Sequence, residues 1–471
     1  MLVGVQERTI EFGRCRPRRS CPVRSSIVFQ PERPSSRMPL PQNLFFKVSK
    51  AVHGTSLPPI PQAYKWAASY VPTKSRPILD MSQGVPGLPP PKSVLDALGN
   101  YASDPKSCGY CPMTGEPKLR DSLAREIKHV YGCDADVLGD DIALTAGCNM
   151  AFVTAVMSLA DSGDEVILPV PWYFNHQMTL QMLGVTTVPL PTYSKEGFQP
   201  SPELCEKLIT PKTKAIVLVS PNNPTGAVYR PALIASFASL SKKHGVALII
   251  DETYRDFITN DVPHHLFVPG HLQKTDCKEF HLPEDWSWRD TFIHLFSFSK
   301  SYCVPGHRLG AIIAPSGVMD QVKTVLDCLQ ICPPRPIQLA LQSSLPDLRP
   351  FIQENARALA HRHELFRSLL PKTWRIGSQG AYYAFVRHPF TGISATEVCR
   401  RMATETGIVT LPAAFFSPET KHASTQALDA YEHGDQWVRF SVANVDDERI
   451  KAVCKRLHEI ESEFGWEVDA A

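Results

Sequence analysis

A lysine at the end of an apolar run is the first candidate for chemistry in this sequence. Lys300 follows residues 292–298, which are mostly Phe, Ile and Leu. An apolar setting removes water from the amine, lowers its pKa and makes it a nucleophile that can form a Schiff base. The alternative is a lysine whose ammonium group merely reaches solvent at a strand end. The residues that follow the neighbouring apolar runs favour the first interpretation.

Three polar side chains that could assist such a lysine also follow apolar runs. Asp251 closes residues 246–250, where an unpaired carboxylate would be costly, so it needs a cationic partner such as a protonated pyridine nitrogen. Tyr254 could donate to a phenolate oxygen and thereby tune an adjacent imine. Asn223 lies in the turn Asn-Asn-Pro-Thr-Gly, where its amide can point inward.

The same region offers donors to a phosphate group. Ser297 and Arg308 flank Lys300, and an arginine can clamp an anion with two parallel hydrogen bonds. Gly147, Cys148 and Asn149 open an almost wholly apolar helix candidate, and the free N–H groups at such a helix start attract anions.

The arrangement of these groups predicts an α/β fold. From about residue 90, short β-like runs alternate with helical stretches, and polar or Gly/Pro-rich groups follow the runs directly. Ligands of open α/β sheets lie outside the carboxyl ends of the strands. We therefore expect a large domain at 91–335, with a mostly parallel sheet covered by helices. Its polar, His- and Pro-rich residues 257–290 are predicted to be a surface insertion.

The chain beyond residue 335 predicts a smaller α+β domain at 336–471. A helix candidate at 352–370 precedes a strand-like run at 380–386. Residues 46–90 are predicted to be an N-terminal arm and a segment of the small domain. The further candidates are a helix at 394–405, a strand-like run at 407–411 and a closing helix at 448–463.

Composition narrows the class of protein. The 471 residues are 43% hydrophobic and 20% charged, which is ordinary for a globular chain. The net charge of +2 argues against a nucleic-acid partner, and the apolar runs are too short to span a membrane. Thirteen scattered cysteines favour a reducing compartment, so we expect a cytoplasmic protein. Cys108 and Cys111 have metal-ligand spacing but lack a matching second pair, so no metal is expected.

The first 50 residues differ from the rest, with ten Lys or Arg against three acids. We predict that residues 1–45 form a disordered basic arm. A mitochondrial transit peptide is the less favoured alternative, because three glutamates and several prolines interrupt the amphipathic helix that import requires. A translation start at Met38, with the preceding residues not translated, is a further alternative.

Four motifs in order give the sequence a family resemblance. They are Asn223-Pro-Thr-Gly, Asp251-Glu-Thr-Tyr, Ser297-Phe-Ser-Lys with Arg308 eight residues after the lysine, and Arg439-Phe-Ser. From about residue 79 to residue 463 the chain resembles the class I/II aminotransferases, the pyridoxal-phosphate enzymes related to aspartate aminotransferase. The resemblance implies fold type I and pyridoxal 5'-phosphate as the cofactor.

The resemblance also implies a role for each matching residue. Lys300 would hold the cofactor as a Schiff base and move a proton between it and the substrate α-carbon. Asp251 would pair with the pyridinium nitrogen, Tyr254 and Asn223 would bond the phenolate oxygen, and Tyr173 would stack on the ring. The phosphate would be bound by Ser297, Arg308, Gly147, Cys148 and Asn149.

On the substrate side, Arg439 would bind the α-carboxylate, with Asn223 beside it, and Gly84 would let the backbone approach the ligand. Tyr110 matches a family tyrosine that reaches the phosphate of the neighbouring subunit, so the resemblance implies a homodimer.

Three functions are compatible with this reading. The leading one is transfer of an amino group from an L-amino acid to a 2-oxo acid. The second is a lyase, such as a C–S β-eliminating or aminocyclopropane-carboxylate-synthase-like enzyme, because the same cage supports those reactions. The third, a ligand-sensing regulator, is disfavoured because residues 1–50 contain no helix-turn-helix pattern. No second arginine stands in a matched motif, which favours neutral or aromatic substrates.

Overall fold

The computed structural model describes residues 46–259, 262–272, 282–342, 344–418 and 435–469. From residue 48 onward the chain clusters as one compact unit. The predicted basic arm at 1–45 lies outside the described residues. No helix in the described ranges is long and apolar enough to cross a membrane.

The described residues form fourteen α-helices and thirteen strands, numbered here in chain order. The helices are α1 Lys50–Gly54, α2 Pro59–Ala67, α3 Lys92–Ser103, α4 Pro117–Tyr131, α5 Cys148–Leu159, α6 Phe174–Leu183, α7 Pro202–Leu208, α8 Pro231–His244, α9 Phe298–Ser301, α10 Ser316–Leu329, α11 Arg335–Gln342, α12 Arg349–Leu369, α13 Ala395–Arg401 and α14 Asp447–Glu463. The strands are β1 Leu79–Asp80, β2 Ile142–Thr145, β3 Glu165–Val170, β4 Thr186–Pro191, β5 Thr213–Val219, β6 Ala247–Asp251, β7 Phe292–Ser297, β8 Gly310–Ile313, β9 Arg375–Gly380, β10 Tyr383–Arg387, β11 Ile408–Val409, β12 Leu411–Pro412 and β13 Trp437–Ser441.

A seven-stranded sheet forms the centre of the fold, in the order β2-β8-β7-β6-β5-β3-β4. Only β8 runs against its neighbours; the other six strands are parallel to one another. Strands β2, β5, β6 and β7 are buried almost throughout, as expected of a parallel sheet with helices on both faces. Two large apolar clusters bury the sheet. The carboxyl ends of β5, β6 and β7 therefore meet at one edge, where Asn223, Asp251 and Lys300 follow them.

A second, four-stranded antiparallel sheet has the order β12-β13-β10-β9. It packs with α12 and α14 in a separate apolar cluster, which also contains Leu79 and Met81 from the N-terminal segment. The short pair β1-β11 joins that segment to the same region. The mostly parallel sheet with helices and the smaller α+β part confirm the predicted fold class, whereas the domain boundary at 335/336 stays a prediction.

One predicted strand is wrong in its extent. Residues 380–386 were expected to form a single strand, but they belong to the hairpin of β9 and β10. Ala381 has a φ of 46°, in the left-handed region, and turns the chain between the two strands. Apolar residues continue through the turn without interruption, so the sequence pattern carries no sign of it.

The prediction that residues 257–290 form a surface insertion is wrong for several of their described residues, whereas others, such as Asp285 and Asp290, are exposed. Phe267, Trp286 and Trp288 are buried in the main core. Trp286 Nε1 donates to the Leu266 carbonyl at 2.9 Å, and Trp288 Nε1 donates to the Asp136 carbonyl at 2.7 Å. These three buried aromatic residues lie too far apart in the sequence, with polar residues between them, to give a periodic hydrophobic pattern.

A buried charged cluster ties this segment to the sheet edge. Glu252 Oε2 lies 3.1 Å from His264 Nε2 and 2.8 Å from His294 Nε2, and it accepts a hydrogen bond from Tyr131. Burial by itself raises the pKa of Glu252, but the two histidines outweigh it and hold the carboxyl well below its usual range. Glu252 follows Asp251 directly, so this cluster fixes the end of β6.

Candidate active site

A cavity of ≈260 Å³ opens at the carboxyl ends of the central strands. Of the thirteen residues predicted for a site, eleven line it; Gly147 and Tyr110 do not. The predicted residues at its wall are Gly84, Cys148, Asn149, Tyr173, Asn223, Asp251, Tyr254, Ser297, Lys300, Arg308 and Arg439. The other lining residues are Ile60, Gln83, Val85, Phe174, Val219, Thr253, Ser299, Pro305 and Tyr383.

Lys300 lies on the one-turn helix α9 that follows β7. Its Nζ donates to the Gly84 carbonyl at 2.5 Å and lies 5.7 Å from the centroid of the Tyr382 ring. Burial, followed by the positive charges of Arg439 and Arg308, lowers the pKa of Lys300 to about 8. A larger share of the amine is therefore neutral near physiological pH than for an ordinary lysine, and only the neutral amine is a nucleophile.

This lowered pKa predicts how the protein is loaded with pyridoxal phosphate. With a pKa of about 8, roughly a tenth of the amine is neutral at pH 7, about 300-fold more than for a free lysine. The attachment rate of the apoprotein should rise about tenfold per pH unit below pH 7.5 and level off above about pH 8.5. Stopped-flow absorbance between pH 6.5 and 10 measures it.

A free lysine derivative titrated under the same conditions is the control, because its rate combines the ionisation of pyridoxal phosphate with the ordinary pKa of an amine. The ratio of the protein rate to the control rate should fall above about pH 8.5, and a ratio that stays constant to pH 10 would contradict the lowered pKa.

Asp251 is 4% exposed and has defined partners. Its Oδ2 lies 3.2 Å from His176 Nε2, and its Oδ1 accepts from the Thr253 backbone N–H at 3.0 Å. Burial by itself raises the pKa of Asp251, but His176 and Thr253 outweigh it and hold the carboxyl ionised. Sequence reasoning missed His176, although it lies only three residues after Tyr173.

Donors for an anion lie around Arg308 and the start of α5. Gly147 has a φ of 87°, and a Cβ there would lie 2.1 Å from Arg308 Nη2, so only glycine lets the guanidinium reach the start of α5. Ser297 Oγ accepts from the Ser299 backbone N–H at 3.2 Å. The N–H groups at the start of this twelve-residue helix add a partial positive charge. Gly147 thus belongs to the site through Arg308, although it does not line the cavity.

Arg439 is 1% exposed and lies on β13. Its Nη1 donates to Asn223 Oδ1 at 2.8 Å, and its Nη2 donates to the Ser82 carbonyl. The guanidinium carbon lies 4.6 Å from the centroid of the Tyr383 ring and 4.9 Å from that of Phe416. Its Nε has no hydrogen-bond partner among the described residues.

Arg439 forms no surface salt bridge with the nearby acidic residues Asp446 and Asp447. Asp446 pairs with Arg449, and Asp447 pairs with His361 and Arg362. Burial lowers the pKa of Arg439, as expected of a cation held away from water. Arg439 is thus a buried cation with donors left over.

Tyr173 and Tyr254 both reach the cavity. The Tyr173 hydroxyl accepts from Asn175 Nδ2 at 2.9 Å and donates to Asn149 Oδ1 at 3.4 Å. The Tyr254 hydroxyl lies 2.7 Å from that of Tyr383. Sequence reasoning missed Tyr383, and its place in an aromatic strand gave no signal.

Tyr110 lies apart from this cavity. It is 78% exposed and lines a separate opening of ≈630 Å³ together with Cys108, Gln330 and Arg335. Ala146 lines that opening too, one residue before Gly147. Both openings therefore adjoin the start of α5.

The residues of the cavity fit pyridoxal phosphate. The Arg308 guanidinium occupies the space beside Gly147 that a Cβ would otherwise fill, and a guanidinium is suited to bind a phosphate. The buried Asp251 carboxylate suits a pyridinium nitrogen, and the Lys300 amine is the one covalent anchor among the lining residues.

Comparisons with known proteins agree with this geometry. A sequence profile described as aminotransferase class I and II matches residues 76–457. The aromatic-amino-acid aminotransferase 2 of Thermococcus litoralis is 26% identical over 404 residues, 83% of this chain and 95% of that protein. The aspartate aminotransferase of Pyrococcus abyssi is 27% identical over 348 residues, 72% of this chain and 84% of that protein. A solved aminotransferase from Mycobacterium tuberculosis has the same fold, with a TM-score of 0.73, 24% identity and coverage of 88% of this chain and 98% of that one.

The profile match extends over most of the chain and confirms the predicted family and cofactor. The relatives named here are aminotransferases, so the lyase alternative is not favoured. The chain belongs to the aminotransferase class I and II family, and it is a pyridoxal-phosphate-dependent enzyme that moves an amino group from an amino acid to a 2-oxo acid.

Proposed function

We propose that this aminotransferase acts on L-amino acids with uncharged side chains, with Lys300 as the proton carrier and Arg439 as the carboxylate-binding residue. One observation carries the proposal: a lysine of lowered pKa shares a cavity with a buried arginine that has spare donors. A buried cation without a counter-charge is costly, so this position favours a ligand with a carboxylate.

The remaining residues have complementary tasks. Bound pyridoxal phosphate supplies an electron sink for the charge that develops at the substrate α-carbon. Asp251 keeps a proton on the pyridine nitrogen, and the lowered pKa lets Lys300 both take and return the α-carbon proton. Because Arg439 occupies Asn223 Oδ1, the Asn223 amide keeps its N–H donors for the phenolate oxygen.

The side-chain preference is supported by the cavity wall. Ile60, Val85 and Phe174 give the cavity apolar surface. Within the described ranges, the cationic residues that line the cavity are Lys300, Arg308 and Arg439. Each of them already has a proposed role, so no cation remains to bind a second carboxylate on the substrate side chain. The Thermococcus relative is named for aromatic amino acids and the Pyrococcus relative for aspartate, so the proposed preference rests on the cavity wall and not on these names.

A panel of amino acids tests this proposal. The purified enzyme with pyridoxal phosphate is mixed with aromatic, aliphatic and acidic amino acids, with and without 2-oxoglutarate. We expect new glutamate and the matching oxo acid, with the highest kcat/KM for aromatic or aliphatic substrates. A clear preference for aspartate would contradict the proposed specificity, and ammonia or thiol release without an acceptor would point to a lyase.

We also propose that the enzyme is a homodimer in which Tyr110 binds the cofactor phosphate of the other subunit. Exposed Tyr110 lines an opening with Gln330 and Cys332, whose chain neighbours Leu329 and Ile331 are exposed apolar residues, and such a surface suits an interface with a second copy. The opening lined by Tyr110 adjoins the start of α5, next to the proposed phosphate site.

Subunit mixing tests the shared site. Inactive Lys300→Ala and a Tyr110 variant of low activity are mixed and allowed to exchange subunits. A hybrid dimer has one complete site, so an equal mixture should recover about a quarter of wild-type activity. Mixing Lys300→Ala with Asp251→Asn is the matched control, because both residues belong to the same subunit's site, and it should recover nothing. Proven exchange without recovery in the first mixture would contradict the shared site.

We further propose that the protein works in the cytoplasm. None of the ten cysteines in the described ranges is in a disulfide, which supports a reducing compartment.

A further inference from the structure

Tyr383 is buried and lines the cavity, but the proposed reaction assigns it no role. It lies on β10 and is 2% exposed. Its hydroxyl is 2.7 Å from the Tyr254 hydroxyl, and its ring lies 4.6 Å from the Arg439 guanidinium carbon. Tyr383 therefore contacts the two residues proposed to bind the cofactor phenolate oxygen and the substrate carboxylate.

The backbone at Gly84 is shaped around this hydroxyl. A Cβ at position 84 would lie 2.0 Å from Tyr383 Oη, so any other residue there would displace the tyrosine. The Gly84 carbonyl also accepts the hydrogen bond from Lys300. Because Gly84 has no side chain, Tyr383, Tyr254 and Lys300 can lie close together around its backbone.

The direction of the hydrogen bond between the two phenols follows from their surroundings. Two hydroxyls at this distance share one proton, and the more acidic one donates it. Arg439 faces the Tyr383 ring, and its positive charge favours loss of that proton. Burial raises the pKa of both phenols, but Arg439 and the bond to Tyr254 counteract this at Tyr383. Tyr383 therefore donates to Tyr254, whose own proton stays available to the cavity.

We propose that Tyr383 is a positioning residue: its hydroxyl directs the Tyr254 proton at the phenolate oxygen of the bound cofactor, and its ring supports Arg439. A hydroxyl that accepts a hydrogen bond donates more strongly, so Tyr383 also strengthens the Tyr254 contact. This inference rests on the roles proposed above for Tyr254 and Arg439.

The pH titration of the bound cofactor's absorbance tests the hydroxyl. A donor to the phenolate oxygen withdraws electron density and lowers the proton affinity of the nitrogen joined to Lys300. Tyr383→Phe should therefore raise the pKa of the bound cofactor by about 0.5–1 unit, the size expected for one hydrogen bond. Tyr254→Phe should raise it further, and the double variant should equal Tyr254→Phe alone, because Tyr383 acts through Tyr254.

Steady-state kinetics distinguish the role of the Tyr383 ring from the role of its hydroxyl. Tyr383→Phe keeps the ring, so KM for the amino acid should stay within about twofold while kcat falls about 3- to 10-fold. Tyr383→Leu also removes the ring beneath Arg439, so KM should rise as well. Tyr302→Phe is the control, because that buried hydroxyl has no partner among the described residues and does not line the cavity. It should leave both the titration and the kinetics unchanged.

The outcomes are distinguishable. An unchanged titration in Tyr383→Phe, beside a shifted one in Tyr254→Phe, would overturn the inference and leave the proposed function standing. Additive shifts in the double variant would overturn it too, because Tyr383 would then act independently. An unchanged titration in Tyr254→Phe would refute the role of Tyr254 itself and the inference with it.

Discussion

Replacing Lys300 with alanine should lower turnover by at least about 10⁴-fold, because one amine serves as both the covalent anchor and the proton carrier. The contacts of Arg308, Ser297 and Asp251 do not depend on this side chain, so pyridoxal phosphate should still bind. Cofactor absorbance during a single turnover, at saturating pyridoxal phosphate, measures the rate of the proton transfer directly. It therefore distinguishes loss of the chemical step from loss of cofactor binding.

Two controls sharpen the test of Lys300. Lys300→Arg keeps the positive charge near Arg439 but is neither a nucleophile nor a base at neutral pH, so it should be as inactive as the alanine variant. A small primary amine added to Lys300→Ala should restore part of the turnover by entering the space left by the side chain. Turnover near the wild-type rate in either variant would refute the assignment of Lys300.

The parts of the site that follow strands could be predicted from the sequence. Asp251 ends a buried strand, Asn223 and Lys300 come soon after one, and parallel strands bring their carboxyl ends to one edge. The local apolar pattern therefore fixes where these residues meet. The same pattern predicted β6, β7 and the closing helix α14 within a few residues, from the runs 246–250 and 292–298 and the helix candidate 448–463.

The contacts that were missed join distant parts of the chain. His176 lies on α6, and it meets Asp251 only after the sheet has formed. Tyr383 meets Tyr254 across 129 residues, from a different sheet. Neither residue type is unusual in its local sequence. For Tyr383 in particular, an aromatic residue in a strand is ordinary core material. Only the folded chain shows that these side chains face the cavity.

The described flanks of 257–290 illustrate a second limit of sequence reasoning. A composition rich in His, Pro and charged residues suggests surface, yet His264 is fully buried against Glu252. A buried polar side chain needs a specific partner, and the partner of His264 is supplied by the end of another element. Average polarity therefore predicts exposure poorly wherever such a partner exists.

Arg439→Lys should lower kcat/KM for amino acids by about 30- to 5000-fold, corresponding to ~2–5 kcal/mol for a buried charged hydrogen-bond partner. Asn223 and the Ser82 carbonyl take two of the five N–H donors of this guanidinium, and the planar group lies between the Tyr383 and Phe416 rings. Two parallel donors toward a carboxylate thus remain in a fixed plane. A lysine has a single nitrogen and cannot satisfy Asn223, Ser82 and a carboxylate in that geometry.

The proposed phosphate and pyridine contacts of Arg308, Ser297 and Asp251 do not involve Arg439, so Arg439→Lys should still bind pyridoxal phosphate, and the absorbance of the bound cofactor measures this. Arg449→Lys is the matched control: it makes the same exchange at an exposed ion pair with Asp446, where the expected change is below about twofold. Kinetics of both variants with several amino acids separate a general effect of losing an arginine from loss of carboxylate binding. If Arg439→Lys retained near-normal kcat/KM with every accepted amino acid, the carboxylate would have to bind elsewhere, and the buried cation of Arg439 would serve only to join β13 to Asn223 and Ser82.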